Sequence, residues 1–229
     1  MKINYFAMLN MRSRLARFLQ PRGKTSFLMS MVRGAKVLDV GCGNDSPTRT
    51  KKCRPDLYYI GLDIDHSNTG TKHGYGSADQ IYLTNPNLFH EQIEVLSNSV
   101  DYVISSHNLE HCNSPELVLR AMVLALKTDG MLYLSFPSIS SQNFPHRRGP
   151  LNYYDEKEHI KEPPHPEQVL KILKSMNCEV QFMSARYRPI LLFMLGILLE
   201  IPSRFLNRTL PGTWQLYGFE SIIWARKRS

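Results

Sequence analysis

Long apolar runs are scarce in this chain of 229 residues. The conspicuous one, Ile190 to Leu199, stops at Glu200 and lies between Pro189 and Pro202. It falls short of the ~18 or more residues that a membrane-spanning helix needs. Cysteine is also sparse: Cys42, Cys53, Cys112 and Cys178 form no close Cys-x-x-Cys pair. A disulfide scaffold is thereby excluded, and the expected setting is reduced and cytosolic, with each thiol acting as a small buried hydrophobe. The N-terminus scatters Lys2, Arg12, Arg14 and Arg17 and lacks the apolar core and cleavage site of a secretory leader. No internal repeat and no low-complexity tract occurs. Acidic residues are outnumbered 20 to 28, a net charge of +8 that favours anionic partners such as nucleic acid, phospholipid head groups or a diphosphate-linked substrate. The cations are spread over 12–22, 49–54, 147–148 and 226–228, as expected for a mostly solvated surface.

What remains is a globular composition, 42% hydrophobic and 21% charged. Residues 5–33 mix apolar and basic positions at helical spacing, with a break at Pro21-Arg22-Gly23. Short apolar strands are expected at 36–40, 57–62, 99–105 and 131–136. A helix is expected from Pro115 to Lys127, with Ser114 as N-cap and Leu117, Leu119, Met122, Val123 and Leu126 as its buried stripe. A polar loop, 138–165, precedes a helix at 167–174. Strands at 178–183 and 220–225 follow, with the apolar run between them. This alternation predicts an α/β fold with a doubly wound sheet, helices on both faces and ligands at the carboxyl ends of the strands. One domain is expected over 1–229. It comprises an N-terminal helical segment (1–34), a cofactor-binding core (35–137), an acceptor-side loop (138–166) and an apolar insert (184–218).

The chemistry concentrates first at the end of strand 36–40. A Gly41-x-Gly43 turn lets a ligand approach the backbone. The dinucleotide fingerprint requires a third glycine three residues later, and Ser46 stands there instead; nor does a Gly-Lys-Ser/Thr phosphate loop exist. Asp63, at the end of the next strand, is placed to accept the hydroxyls of a ribose. Asp39 lies just before the turn, where it can orient the loop and a cationic amino-acid moiety.

The run Val37-Leu38-Asp39-Val40-Gly41-Cys42-Gly43 resembles the first motif of class I S-adenosylmethionine-dependent methyltransferases, and Ile60-Gly61-Leu62-Asp63-Ile64 resembles the second. Asp101 to His107 is similar to the fourth-strand motif, and Leu126 to Leu132 to the approach to the fifth strand. The resemblance covers about residues 35–137. It implies a Rossmann-like sheet of about seven strands, the last antiparallel. It also implies S-adenosyl-L-methionine held by Asp39, Gly41, Cys42, Gly43, Asp63, Ile64 and Ser106, with Asp79 at the adenine amine.

The residues after the fourth strand, Ser106-His107-Asn108-Leu109-Glu110-His111-Cys112, should face the methyl acceptor. In one reading Glu110 and His111 support loop geometry, and His107 or His111 is the general base. In the other, His107, Glu110 and His111 gather around a divalent metal, since positions three and four apart on a helical turn share a face. The spacing resembles the Glu-x-x-Glu-His metal motif of plant small-RNA 2′-O-methyltransferases and some quinone O-methyltransferases, with His107 replacing the first Glu. By that resemblance His159 completes the set, with His165 as the spare.

The loop 138–166 is similar to the substrate insert of small methyltransferases of bacterial polysaccharide and glycolipid assembly. That likeness gives Tyr153 and Tyr154 a role in stacking on sugars and Arg147 and Arg148 a role in meeting phosphate. The expected activity is O-methylation of a sugar or another small hydroxyl acceptor. The alternatives are RNA 2′-O-methylation with a divalent metal, disfavoured by the lack of an aromatic-interleaved basic stripe, and a non-catalytic cofactor-binding assembly or regulatory protein. The segment 189–202 is read as a covering helix, a homodimer contact or a peripheral membrane contact.

Overall fold

The computed structural model describes residues 15–64, 76–159 and 161–229, so residues 5–14 of the expected N-terminal helices lie outside the described part. Seven strands form one sheet: β1 (Lys36–Val40), β2 (Tyr58–Ile64), β3 (Gln80–Thr84), β4 (Val100–Ser106), β5 (Leu126–Pro137), β6 (Cys178–Ser184) and β7 (Glu220–Lys227). Their order is β3-β2-β1-β4-β5-β7-β6. Pairings from β3 through β5 are parallel, and β7 runs antiparallel to both β5 and β6. This is the expected doubly wound sheet with its last strand reversed. The order of the strands reverses between β1 and β4, which leaves a crevice at their carboxyl ends.

Helices α1 (Lys24–Ser30), α2 (Ser46–Cys53), α3 (Phe89–Glu94), α4 (Pro115–Ala125), α5 (Pro166–Ser175), α6 (Ile190–Phe205) and α7 (Thr213–Tyr217) surround the sheet. One core layer joins α3, α4 and α5 to the sheet through Leu38, Ile60, Val103, Met122, Leu134 and Leu173. On the other face, Phe27 of α1 packs edge-on against Tyr102 and Trp224, with ring centroids 6.0 and 5.1 Å away.

Four features differ from expectation. On α4 the buried positions are Val118, Leu119, Ala121, Met122, Val123 and Ala125, whereas Leu117 is 44% exposed. The small Ala residues belong to the inner face because the helix packs closely, a preference that hydrophobicity alone does not reveal. The helix also ends at Ala125, where the chain turns extended, rather than at Lys127. The apolar helix α6 runs through Pro202 to Phe205; a proline one turn from the C-terminus forfeits a single ladder bond. Finally, Arg54 is buried rather than solvated. Its guanidinium donates to the carbonyls of Leu28 (2.6 Å) and Met31 (3.0 Å), closing the C-terminal end of α1, and its charge is balanced by Asp56. Burial and Gly34 also act on Asp56, but Arg54 dominates and holds its carboxyl well below the usual range.

Candidate active site

The turn after β1 takes its shape from two left-handed glycines, Gly41 (φ 71°) and Gly43 (φ 57°). The N–H groups of Gly41 and Cys42 both donate to the Leu62 carbonyl, at 2.8 and 3.2 Å. Asp63 is anchored through both carboxylate oxygens, accepting from Gly43 N (2.8 Å) and Ile64 N (2.9 Å). A side chain at Gly43 would meet nothing within 4 Å, so the turn opens onto clear space. That space is a cleft of about 510 Å³ lined by Lys24, Gly41, Gly43, Ser46, Arg49 and Ser106 among others. Ser106 shares a 2.9 Å hydrogen bond with Ser135.

Asp39 lies beneath the turn and is fully buried. Its Oδ2 accepts from Lys24 Nζ (3.0 Å), Ser46 Oγ (2.5 Å) and Tyr59 OH (2.8 Å), while its Oδ1 has no partner. Lys24 and Ser46 were not anticipated. Lys24 comes from a helix before the sheet and leaves no local signal, and Ser46 had served only as a missing glycine. The Cys42 thiol is pushed up by burial and by the charges of Asp39 and Asp63, so it stays protonated and packs as a hydrophobe.

Asp79 does not reach this cleft. It accepts from Tyr59 N (2.6 Å) and pairs with Lys51 at the amino end of β2, the opposite edge from the crevice. Its expected place at an adenine amine is therefore corrected to a clamp between β2 and β3.

Beyond Ser106 the chain turns sharply at His107 (φ 51°) into a short 3₁₀ segment, Leu109–His111. This turn brings Glu110, His111 and the distant His159 together, with one ligand-capable atom of each within 4.8 Å of the others. Glu110 is buried and neither carboxylate oxygen has a hydrogen-bond partner. His159 is also buried and lies flat on Tyr153, with centroids 4.1 Å apart and planes 5° apart. Its Nδ1 donates to the Tyr153 carbonyl at 2.7 Å. Its Nε2 has no hydrogen-bond partner among the described residues and lies 3.5 Å from Glu156 Oε2. His111 stacks on His159 at 4.8 Å from the exposed side.

His107 stands apart from this cluster. Its Nδ1 lies 3.3 Å from Glu110 Oε1, an ion-pair approach rather than a hydrogen bond, and its Nε2 lies 3.3 Å from Glu220 Oε1. Burial works against the charged ring, yet Glu110 and Glu220 outweigh it and push His107 up to about 10. Each ring nitrogen thus faces one carboxylate, so His107 links the turn after β4 to β7 and is not among the grouped ligand atoms of Glu110, His111 and His159. Glu220, which makes this tie, follows the apolar insert by sequence and could not be foreseen. The spare candidate His165 lies outside the cluster, 3.4 Å from Glu162.

The loop residues divide similarly. Tyr153 is fully buried as the platform for His159, while Tyr154 remains 45% exposed. Arg147 does not face solvent: it donates to both carboxylate oxygens of Glu200 (2.9 and 2.7 Å) and to Ser203, fastening the loop to α6. Only Arg148 of the pair is exposed.

A family model for a methyltransferase domain matches residues 7–181. The ubiquinone biosynthesis O-methyltransferase of Neisseria meningitidis serogroup C (strain 053442) is 25% identical over 121 residues, 50% of this chain and 49% of the relative. The match thus spans about half the length of that curated relative. An S-adenosylmethionine-dependent methyltransferase from Archaeoglobus fulgidus superposes with TM-score 0.55 at 19% identity, covering 98% of this chain and 95% of its own. The phosphoethanolamine N-methyltransferase 2 of Haemonchus contortus, solved with S-adenosyl-L-methionine, gives 0.54 at 16% identity over 89% and 51% of the two chains. At these identities the two structural likenesses are of fold.

Proposed function

The chain belongs to the methyltransferase-domain family, and from that premise we propose that it transfers the methyl group of S-adenosyl-L-methionine to a hydroxyl oxygen of a sugar or another small acceptor, in glycan or glycolipid assembly. The observation that carries this reading is the adjacency of two sites at the carboxyl end of β1 and β4. One is a glycine-walled cleft with an unpartnered buried Asp39 Oδ1, and the other is the cluster of Glu110, His111 and His159.

The residues of the cleft suit the cofactor. Asp63 is held at the mouth, where it can accept ribose hydroxyls. Asp39 Oδ1 offers an acceptor for the ammonium of the methionine moiety, while Lys24 pairs with its Oδ2 at 3.0 Å. The bound cofactor supplies an electrophilic methyl group on a sulfonium; a carbon–sulfur bond breaks, a carbon–oxygen bond forms, and S-adenosylhomocysteine departs. The chain's contribution is to align the acceptor hydroxyl and to remove its proton.

The donor set of the cluster, two imidazoles and one carboxylate, fits a divalent cation. Such an ion would be held by Glu110, His111 and His159, and would supply Lewis acidity that lowers the pKa of an acceptor hydroxyl. In the cation-free form of the same reading, His111 at the exposed side of the cluster takes the proton. Tyr154, exposed beside the cluster, offers a ring face to a sugar.

The test is incubation with methyl-labelled S-adenosylmethionine and a panel of nucleotide sugars, lipid-linked glycans and RNA, before and after dialysis against chelator. Label is expected on a sugar or lipid-linked hydroxyl, with activity lost on chelation and restored by a divalent cation. Full activity in protein that atomic absorption shows to be metal-free would leave His111 as the base. Cofactor binding with transfer to no acceptor would overturn the enzymatic reading.

A further inference from the structure

Helix α6 carries its apolar residues outward. Ile190, Met194, Ile197, Leu198, Ile201 and Phe205 are between 46% and 86% exposed. Their spacing of 4, 3, 1, 3 and 4 residues places them on one face. Fully buried on α6 are the small Gly196 and Ser203, with Leu192, Phe193, Leu195 and Leu199 half-buried beside them. A Cβ on Gly196 would come within 2.3 Å of the Gly212 carbonyl oxygen, so the helix is pressed against the segment leading into α7 by its small side. A 16-residue helix with a small-residue inner face and a large-residue outer face is inverted relative to one that covers a core.

The charges around the stripe identify what meets it. Arg186 and Arg188 stand before the helix, and Arg204 and Arg208 stand at and beyond its end, all exposed. The single acid within the helix, Glu200, is turned inward onto Arg147 and Tyr217. Paired face to face about a two-fold axis, two copies would bring these cations toward one another with no acid on the helix face to answer them. An anionic bilayer answers both features: its head groups meet the arginines and its acyl boundary takes the stripe. No helix of the described residues is long and apolar enough to cross a membrane, which leaves an in-plane position.

We propose that α6 lies in the plane of an anionic lipid surface, with Leu198, Ile201 and Phe205 in the acyl boundary and Arg186, Arg188 and Arg208 on lipid phosphates, while Arg204 stays paired with Glu200. The geometry links this surface to the acceptor side. Arg147 joins the acceptor loop to Glu200 of α6, and Trp214 of α7 packs on His107 with centroids 5.8 Å apart. Resting on the methyl-transfer reading, this places the mouth of the acceptor site toward the bilayer and assigns the acceptor to lipid-attached molecules.

The full chain is tested by flotation with vesicles of phosphatidylcholine alone and with about a third phosphatidylglycerol. Binding is expected with the anionic vesicles only and should weaken as salt is raised. Leu198→Glu with Ile201→Glu should weaken it roughly tenfold or more, and Arg186→Gln with Arg188→Gln should weaken it several-fold. Both positions are exposed, so matching thermal unfolding of variant and parent shows that folding is intact. No flotation with either vesicle overturns the proposal. So does a dimer in light scattering that the glutamates dissociate in a protein that floats with neither, which would assign the stripe to a second copy. Vesicle binding needs no methyl transfer, so its failure leaves the enzymatic reading standing, and an inactive protein that floats separates the two in the other direction.

Discussion

A Cβ placed on Gly41 would lie 2.2 Å from Oδ1 of Asn108, so the cofactor turn and the loop after β4 meet at a point where no side chain fits. The glycine turn and the segment after β4 are therefore one mechanical unit. Displacing the Asn108 loop moves the segment that carries Glu110 and His111.

Gly41→Ala should destabilise the protein on two counts, the left-handed φ of 71° and the collision with Asn108. The first costs about 1–2 kcal/mol and persists in any context. Adding Asn108→Gly should recover only the second. Urea unfolding of the two variants checks this; a double variant no more stable than Gly41→Ala would show that Asn108 is not the obstacle.

Lys24→Met removes the one cation bonded to the buried Asp39, leaving it with the neutral donors Ser46 and Tyr59. Lys24 is itself 27% exposed along its side chain, so the expected loss of stability is about 1–3 kcal/mol, below that of breaking a fully buried pair. Asp39→Asn, by contrast, should weaken cofactor affinity tenfold or more in calorimetry, because a neutral amide no longer attracts an ammonium. Equal affinities in Asp39→Asn and the parent would remove Asp39 from the cofactor site.

The hydroxyl of Tyr153 is buried without a partner, while its ring supports His159. Tyr153→Phe should thus be neutral or stabilising and keep full activity. Tyr153→Ala should cost about 3–5 kcal/mol. His159→Ala should lower kcat with unchanged cofactor Kd. Activity of His159→Ala equal to the parent's would place the chemistry elsewhere.

Acid should loosen the fastening of the acceptor loop to α6. Arg147 holds the Glu200 carboxyl down to about 2, with burial opposing and Tyr217 and Arg204 assisting. A depressed carboxylate stabilises the fold fully above its ordinary value near 4.5, and the contribution is lost as pH falls through about 2. For Glu200→Gln this acid-dependent component, on the order of 2 kcal/mol, should vanish from the pH profile of thermal unfolding. A parent and a variant with the same slope between those values would contradict the assignment.

Much of the fold and the cofactor turn could be read along the chain, because both rest on interactions between near neighbours. The short apolar runs give strands β1, β2, β4 and β5, and their alternation with helices gives the parallel sheet. Gly41 and Gly43 declare a left-handed turn, and Ser46 excludes the dinucleotide pattern. The short edge strand β3 escaped notice, since only partly buried residues such as Ile81 and Tyr82 mark it.

Partners far apart in the chain were decided by the tertiary structure alone. Asp39 is as recognisable as Asp79 by sequence, but the sheet carries one to the cleft and the other to the opposite edge. His107 looks like a free base by sequence, but the fold sets its Nε2 3.3 Å from Glu220, 113 residues away. Arg147 and Tyr153 look like ligand contacts until Glu200 and His159 claim them. The apolar run of α6 reads alike as a covering helix, a homodimer contact or a membrane contact, and only packing shows that Gly196 and Ser203 are its buried residues while Leu198, Ile201 and Phe205 face outward. Local sequence determines backbone conformation and hydrophobic period; which charges neutralise one another, and which face of a helix meets water or lipid, depends on what the folded chain brings beside them.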